Sequence, residues 1–367
     1  MNSHSFDTTS AALKKDWIDK AFPVPGILIP TLVSVDISDG TLRFFEFSRK
    51  RGDFAPKEYG SLPFPRMHIG ANNEKGRSEA ISALKTWASG KKYASARVVI
   101  HEDEVYVFKV TVPTTDKNEI RSAIEALLEE NVPIPPNDCV FEYQAMAADY
   151  TLRETTLAVS VVSRKSIAEY LDIFSSAGIS VVGFETEARA MAHALFTPQD
   201  SLVHAVLSIS EHHSVVFIVE KGAVVWSSSL EVGSSDIDKA ISKTYGTTIE
   251  AARALKLEKA FAEADGDMSL FEAMLPVLST VRDELGKVLS YWKSQSKKER
   301  DAKDVVDVIL TGKDSLIAGF SRYISLTSKL PAKPGSVWTN VLSIEEKIPE
   351  LTRRDSLDYG TVIGSLL

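Results

Sequence analysis

Several common signatures are missing from this chain, and each absence narrows the range of functions. It has one cysteine, Cys139, so no internal disulfide can form, and a reducing cytoplasm is the expected compartment. The net charge is −8, which argues against nucleic acid as the main partner. The chain contains no CxxC, HExxH or P-loop lysine motif. No run of about 18–20 apolar residues predicts a membrane-spanning helix.

The composition is that of a globular protein with about two domains. Hydrophobic residues make up 44% and charged residues 25%, and 367 residues exceed one ordinary core. Residues 1–20 have no hydrophobic stretch followed by a cleavage site, so they do not predict a secretion signal. Residues 10–22 predict a short amphipathic helix. Such a helix either packs on the body of the protein or anchors it weakly to a membrane surface or a partner.

Two distant segments share one outline, in which an apolar strand, a polar turn and a second apolar strand follow one another. Residues 32–47 read LVSVDISDGTLRFFEF, and residues 204–219 read HAVLSISEHHSVVFIV. In the first segment, Asp36 ends the strand and Gly40 lies in the turn. In the second, Ser208 takes the matching position and the turn has no glycine. The pattern predicts a duplicated hairpin, as found in phosphate-binding ATPases.

Alternating strands and helices predict an α/β layered architecture. Residues 104–184 predict a module of strand, helix, strand, strand, helix and strand, with its last strand at 179–184. Its first helix is predicted to begin at Asp116, with Glu119 as the partner in a capping box. The second half predicts strands at 203–209, 214–220, 223–230 and 305–311, and helices at 235–244, 248–263 and 269–296. The apolar stripe of the last helix indicates a core-facing helix, with a coiled coil as the alternative.

Five segments together carry a family resemblance. They are VDISDGTLRFFEF, VPTTDKNEIRSAIEALLEENVPIPPNDCVFEYQ, LAVSVVSRKSIAEYLDIFSSAGISVVGFETEARAMAHAL, STVRDELGKVLSYW and YGTVIGSLL. In their order and spacing they resemble the actin-like ATPase superfamily, and within it the type IV pilus assembly PilM family. The cell-division protein FtsA is a relative with a similar domain plan. The resemblance covers about residues 23–367.

The resemblance implies an α/β fold of the actin-like ATPase type, with two lobes around a cleft and an inserted small α/β subdomain. It divides the chain into an N-terminal extension (1–27), a first lobe (28–200) with the insert at about 102–184, a second lobe (201–353) and a C-terminal helix (354–367) that returns to the first lobe. These limits are expectations carried over from the family.

The resemblance also implies partners and a location. In PilM-like proteins, a groove between the first lobe and the insert binds the cytoplasmic N-terminal tail of the membrane protein PilN. For this chain it implies a scaffold at the inner face of the cytoplasmic membrane, bound to a PilN-like tail and to other platform components, in a homo-oligomeric ring. By analogy, the peptide groove would lie beside residues 104–113 and 157–163.

Nucleotide binding in this fold needs tight turns whose backbone N–H groups bind phosphate, and acids that hold Mg²⁺ through water. The resemblance assigns the acid to Asp36, and it makes Ser38, Gly40, Thr41 and Arg43 neighbours of the phosphates. Ser38 replaces a glycine of the family. An ordinary hairpin turn is the alternative explanation of this Asp-Gly sequence.

The second hairpin departs further from the nucleotide-binding pattern. Ser208 replaces the expected acid, and Ser210 replaces the expected glycine. His212 and His213 are adjacent, and adjacent side chains on a strand point to opposite faces. The sequence therefore predicts no metal site here.

Two further nucleotide elements are also altered. In AARALK, at 251–256, Lys256 is kept while Arg253 replaces an acid that contacts the nucleoside in the family. In LTGKDSLIAGF, Gly312 is kept while Lys313 replaces the second glycine of the adenosine-side turn. A lysine side chain there would crowd the space of the base.

Three functions follow from these patterns. The first is a scaffold that binds a membrane protein's cytoplasmic tail and has no catalytic residues. The second is a protein that binds or slowly hydrolyses ATP with magnesium, and whose nucleotide state gates complex assembly. The third is a sugar or acetate kinase of the same superfamily, which the PilM-like insert disfavours. The altered motifs favour the scaffold over an active enzyme.

Overall fold

A computed structural model describes residues 32–50, 53–65, 74–91, 93, 95–259, 268–296, 303–341 and 351–367. The helix predicted at 10–22, the extension predicted at 1–27 and the end of the helix predicted at 248–263 lie outside these residues.

Strands and helices are interspersed along the described part of the chain. The strands are β1 (Leu32–Asp36), β2 (Thr41–Lys50), β3 (Asp53–Pro63), β4 (Ser95–Ile100), β5 (Val105–Val112), β6 (Cys139–Asp149), β7 (Glu154–Ser163), β8 (Ser180–Thr186), β9 (Val203–Ile209), β10 (Ser214–Glu220), β11 (Ala223–Leu230), β12 (Asp307–Thr311) and β13 (Ala332–Pro334). The helices are α1 (Glu74–Ala88), α2 (Lys117–Asn131), α3 (Arg164–Ser176), α4 (Glu187–Leu195), α5 (Ser234–Tyr245), α6 (Ile249–Lys259), α7 (Met268–Ser296), α8 (Phe320–Ser328), α9 (Arg353–Ser356) and α10 (Gly360–Gly364). The predicted strands at 203–209, 214–220 and 223–230 are confirmed residue for residue.

Two five-stranded sheets repeat the same topology, one in each lobe. The first has the order β3-β2-β1-β4-β8, and the second has the order β11-β10-β9-β12-β13. In each sheet, neighbours among the first three strands of this order are antiparallel. The last two strands run parallel to the central strand, which is β1 in the first sheet and β9 in the second. Asp36 of β1 lies beside Val99 of β4, just as Ser208 of β9 lies beside Thr311 of β12. The duplicated hairpin predicted from the sequence is therefore confirmed.

The insert between β4 and β8 is built on a three-stranded sheet with the order β5-β7-β6. Helix α2 covers one face of this sheet with its apolar stripe, including Ile124 and Leu128. The other face packs on both lobes, because Val107 joins the core of the first lobe and Ala158 joins the core of the second. The insert thus spans the two lobes.

The fourth strand predicted for this module, at 179–184, does not belong to it. Strand β8 pairs in parallel with β4 in the sheet of the first lobe, and Ile173 and Phe174 of α3 lie in the core of that lobe. Periodicity predicts a strand but not its partner, so the sequence could not decide which sheet β8 joins. The small sheet ends with β7 at Ser163, earlier than the predicted limit of 184. The other lobe limits remain predictions.

Helix α2 begins after Asp116 as predicted, but its capping box is absent. The Asp116 carboxylate accepts a hydrogen bond from the N–H of Asn118 at 2.9 Å. The N–H of Asp116 donates to the hydroxyl of Thr114 at 3.1 Å, and that hydroxyl donates to Glu119 at 2.6 Å. Thr114 therefore takes the place predicted for the Glu119 carboxylate, because its hydroxyl lies nearer along the chain.

Strand β3 is an element that the sequence pattern did not predict. Its segment contains Pro56, Gly60 and Pro63, which disfavour a central strand. The structure places it at the edge of the first sheet, paired with β2. Proline is tolerated there because one side of an edge strand needs no ladder hydrogen bonds.

The C-terminal helix α10 packs on the first lobe. Arg97 donates from Nη1 to the carbonyl oxygen of Ser365 at 2.6 Å, and the hydroxyls of Ser34 and Ser365 are hydrogen-bonded. Gly364 permits a close approach to α4, since a Cβ at this position would lie 1.8 Å from the carbonyl oxygen of Ala190. The end of the chain is thereby held beside β1.

Helix α7 turns its apolar stripe to the core of the second lobe. Leu278, Val281, Leu285 and Val288 are buried there, as expected for a core-facing helix rather than a coiled coil. Among the residues that the structure describes, no helix is both long and apolar enough to cross a bilayer.

Candidate functional site

The cleft between the lobes begins where β1 ends, at Asp36. One carboxylate oxygen accepts a hydrogen bond from the N–H of Ser38 at 3.0 Å, and the other accepts from the hydroxyl of Thr361 at 2.8 Å. The side chain is buried. Asp36 therefore ties the first hairpin to the C-terminal helix, and each of its oxygens has a donor from the protein.

The turn of the first hairpin consists of Asp39 and Gly40. Both have positive φ, 57° and 68°, and the N–H of Thr41 donates to the carbonyl oxygen of Ser38 at 2.9 Å. Positive φ at both central residues is the geometry of a type I′ hairpin turn, which favours Asp-Gly. Local hairpin geometry alone thus accounts for the glycine.

Arg43 of β2 lies at the floor of the cleft. It donates from Nη1 to the Ser38 hydroxyl at 3.3 Å. Burial disfavours its charge, but the nearby carboxylates, chiefly those of Asp36 and Asp358, raise the pKa of Arg43 above its usual value. The guanidinium is a fixed positive charge among acids.

The second hairpin binds the side chain of Asp39 directly. The N–H of Glu211 donates to Asp39 Oδ2 at 3.1 Å, and Nδ1 of His213 lies 2.7 Å from Asp39 Oδ1. A backbone N–H in the second turn, the kind of group that would bind a phosphate, is thereby occupied by a carboxylate of the first turn. The two hairpins therefore contact each other directly.

His213 extends this contact into the first lobe. Its Nε2 lies 2.9 Å from Glu187 Oε1 at the start of α4. Burial disfavours the charged imidazole, but the carboxylates of Glu187 and Asp39 outweigh it and raise the pKa of His213 well above its usual value. The pKa of Glu187 is lowered, since His213 outweighs the opposing effect of burial. His213 is therefore a cation held between two carboxylates.

Glu102 lies behind Glu187 and completes the buried cluster. The N–H of Glu102 donates to Glu187 Oε2 at 3.2 Å, and the N–H of Ala188 donates to Glu102 Oε2 at 2.9 Å. Burial raises the pKa of Glu102 to about 7. These bonds fix the side chain of Glu187 for its contact with His213.

Lys256 of α6 is buried inside the second lobe. Its Nζ lies 2.7 Å from each of Asp238 Oδ1, Asp314 Oδ2 and Ser234 Oγ. Arg253, which replaces an acid of the family, donates from Nε to Asp238 Oδ2 at 2.9 Å. The Lys256 ammonium thus neutralises carboxylates of its own lobe.

Gly312 and Lys313 line the cleft directly after the end of β12. Gly312 has φ 87°, and a Cβ there would lie 2.0 Å from the carbonyl oxygen of Ile209, so close packing on β9 requires glycine. Lys313 reaches across the cleft, with its Nζ 2.8 Å from Asp358 Oδ2. Its side chain therefore fills part of the space beside the predicted adenosine-side turn.

The structure brings the predicted site residues together around Arg43. Asp36, Gly312 and Arg43 line one small void, and Gly40, Thr41 and Arg43 line an adjoining cavity. A cavity of about 300 Å³ lies between Arg43 and Lys256. Its lining is Arg43, Ile209, Ser210, Glu211, Ser234, Arg253, Lys256, Lys313, Asp314, Arg354, Asp355 and Asp358. Both bases and acids line it.

Comparison with known proteins decides the family. The family model for the type IV pilus assembly protein PilM matches residues 34–364. The chain belongs to the PilM family. A solved structure, the "PilM-PilN type IV pilus biogenesis complex", is similar with a TM-score of 0.73 and 16% identity over 92% of this chain and 98% of that chain.

Two other solved structures extend the likeness beyond the PilM family. Ethanolamine utilization protein EutJ from Carboxydothermus hydrogenoformans has a TM-score of 0.50 and 14% identity over 97% of this chain and 98% of its own. MreB5 of Spiroplasma citri bound to ADP has a TM-score of 0.52 and 11% identity over 92% of this chain and 95% of its own. The PilM family chain therefore has the predicted actin-like ATPase fold.

Sequence reasoning missed Asp39, His213 and Glu187. Asp39 was read only as part of a turn, and His213 only as a neighbour of His212. The structure shows that His212 contacts Ser235, with its Nδ1 2.8 Å from the hydroxyl, while His213 joins the two acids. The adjacent histidines do point apart, as strand geometry predicts, but their partners come from distant segments.

We predict that Lys256→Met destabilises this PilM family chain by about 3–5 kcal/mol, because it leaves the carboxylates of Asp238 and Asp314 buried without their ammonium. Lys313→Met is the matched control. Its side chain is 48% exposed, so loss of its ion pair should cost no more than about 1 kcal/mol. Urea denaturation of both variants measures the difference. Equal destabilisation would show that the Lys256 cluster is not a structural centre.

Proposed function

We propose that this chain is a cytoplasmic scaffold of a type IV pilus inner-membrane assembly platform, which binds the cytoplasmic tail of a PilN-like membrane protein. Membership of the PilM family and a similar fold in a PilM–PilN complex support this function. The observation that favours a scaffold over an ATPase is the contact of Asp39 with Glu211 and His213, which joins the hairpins.

The hairpins fit the phosphates of a nucleotide poorly. A phosphate at this point would meet the Asp39 carboxylate, which already holds the N–H of Glu211. Both oxygens of Asp36 are engaged by the protein, and Lys256 is bound by two acids. We therefore derive no hydrolytic step at this site.

The alternative is a chain that binds ATP and uses it to gate complex assembly. The cavity of about 300 Å³ supports this alternative, because Arg43, Arg253, Lys313 and Arg354 line it and can attract an anion. Its volume lies at the lower end of ligand pockets, about 300–1,000 Å³. Glu211, Asp355 and Asp358 in the same lining oppose an anion.

We predict that calorimetry detects no binding of Mg²⁺-ATP to the purified chain at concentrations up to about 1 mM. A dissociation constant of about 1 mM corresponds to a binding free energy of only about 4 kcal/mol. Asp39→Ser tests the reason, because it removes the carboxylate that competes with phosphate. Binding that appears only in Asp39→Ser supports the proposal. Binding to the unmodified chain that Asp36→Ala abolishes would instead establish a working phosphate loop.

The groove assigned by resemblance, beside β5 and β7, is largely occupied by protein. Strand β7 is central and pairs with both β5 and β6. Lys109 of β5 forms an ion pair with Glu220 of the second lobe, with Nζ 2.8 Å from Oε2. A peptide that enters here must compete with these contacts.

We propose the exposed edge of β8 as the receptor for the partner's tail. Among the described residues, β8 pairs only with β4, so its other edge is available for an added strand. Beside it lies a cavity of about 480 Å³ that α3 and β8 line with residues such as Leu171, Ile179 and Val181. Leu171, which lines this cavity, is 42% exposed, and Val182 of β8, which lies outside the cavity, is 57% exposed, so apolar side chains of an extended peptide can pack along this edge.

We predict that a peptide matching the N-terminal tail of the PilN-like partner binds the full-length chain, and that Val182→Glu and Leu171→Glu each weaken binding at least about tenfold, or about 1.4 kcal/mol. Leu326→Glu is the control, since Leu326 is 70% exposed on α8 of the second lobe. Fluorescence anisotropy of the labelled peptide measures all three variants.

Two results would contradict this placement or the function. Loss of binding in Thr111→Arg on β5, with Val182→Glu unaffected, would move the peptide to the groove assigned by resemblance. No binding of the tail to any form of the chain, with or without nucleotide, would contradict the scaffold function itself.

A further inference from the structure

Three side chains with metal-ligating atoms converge where the two lobes meet. They are Asp39 in the first hairpin, His101 directly after β4 and His213 directly before β10. One ligand atom from each lies within 4.8 Å of the other two. The first two residues belong to the first lobe and His213 belongs to the second, so the cluster lies across the interlobe contact.

Each histidine of the cluster contacts a carboxylate outside the cluster through one of its ring nitrogens. Nδ1 of His101 lies 2.6 Å from Asp103 Oδ1, and Nε2 of His213 lies 2.9 Å from Glu187 Oε1. In protein metal sites, a carboxylate commonly accepts the second N–H of a ligating imidazole and fixes the tautomer. His101 would therefore present Nε2 to an ion, and His213 would present Nδ1.

The positions of the two rings suit a common ion. Their centroids lie 4.2 Å apart, and Nδ1 of His213 is 2.7 Å from Asp39 Oδ1. Zinc takes N and O ligands at about 2.0–2.2 Å, so the widest ligand pair must close by about 1–1.5 Å. The His101 side chain is 21% exposed and that of His213 only 6%, so the adjustment falls on His101 and must keep its contact with Asp103.

The electrostatic surroundings favour a divalent cation. Asp39, Asp103 and Glu187 contact the two imidazoles, and Glu102 lies directly behind Glu187. Arg43 and Lys239 are the opposing charges nearby, with Arg43 on the cleft side and Lys239 at the rim of the cavity. A bound ion would replace the proton that His213 Nδ1 shares with Asp39 and release it to solvent, and with both imidazoles then neutral the carboxylates around the cluster outnumber these two bases.

The cluster is open to ions from solvent. A cavity of about 330 Å³ adjoins Asp39, His101 and His213. Water can fill the fourth coordination position from this side. Two imidazoles and one carboxylate suit zinc better than Mg²⁺ or Ca²⁺, which prefer oxygen ligands alone.

We propose that Asp39, His101 and His213 form a zinc-binding site that joins the two lobes. The site lies apart from the peptide receptor proposed at β8, and it shares Asp39 with the contact between the two hairpins. The sequence could not predict this site from the adjacent histidines. His213 takes its co-ligands from the first lobe, and His212 is not a ligand.

The test is a titration of the full-length, chelator-treated and desalted chain with Zn²⁺ in a calorimeter, followed by Co²⁺ substitution and visible spectroscopy. We expect one ion per chain, and the absorption bands of four-coordinate Co²⁺. His101→Gln should abolish binding. Asp103→Asn should weaken it about 10–100-fold, the usual effect of removing an outer carboxylate partner. His212→Gln, in the same cavity wall, should leave the affinity unchanged.

Circular dichroism and thermal melting without metal establish that each variant folds. Bound zinc should also raise the melting temperature of the unmodified chain and of His212→Gln, but not of His101→Gln, because a ligand stabilises the state that binds it. Zinc binding that survives His101→Gln would place the ion elsewhere and overturn the proposal. The absence of both zinc heat and cobalt absorption in a folded chain would overturn it equally.

Discussion

One buried series of charges, Asp39, His213 and Glu187, joins the two lobes at the hairpins. The imidazole lies 2.7 Å from the first carboxylate and 2.9 Å from the second, and all three side chains are almost fully enclosed. Breaking a buried ion pair by removing one partner costs about 3–5 kcal/mol, because the remaining charge stays buried. Since Asp39 and Glu187 belong to the first lobe and His213 to the second, the relative position of the hairpins depends on this contact.

This contact changes what the duplicated hairpins do. In a nucleotide-binding protein of this architecture, the turns present their N–H groups to phosphate. Here the Asp39 carboxylate occupies the N–H of Glu211, and Asp36 holds Thr361 of the C-terminal helix. The acids and turns of the ancestral plan are present in the first lobe, but they bind other parts of the protein. This fixed geometry favours the proposed scaffold over a site for an exchangeable ligand.

Much of the architecture could be predicted from the sequence, because apolar periodicity and turn residues are local signals. Strands β9 to β12 of the second lobe and helix α7 follow from apolar spacing alone. The pairing partner of one strand and the position of another at the edge of a sheet depend on distant segments, which local signals do not show. The strand at 179–184 showed its own periodicity but not its partner β4, and β3 was hidden by prolines that an edge strand tolerates. The predicted site residues Asp36, Arg43 and Gly312 do lie together, while their role in binding a nucleotide stays a prediction. The role of His213 was not predictable, because its partners lie 174 and 26 residues away along the chain.

The central claim is that Asp39 and His213 couple the two lobes, and a double-mutant cycle tests it most directly. The free energy of unfolding is measured for the unmodified chain, Asp39→Ala, His213→Ala and the double variant, in the presence of chelator. A hydrogen bond between charged groups predicts a coupling energy of about 1.5–3 kcal/mol. The same cycle with His212→Ala in place of His213→Ala should be additive. Additivity within about 0.5 kcal/mol for Asp39 and His213 would contradict the account.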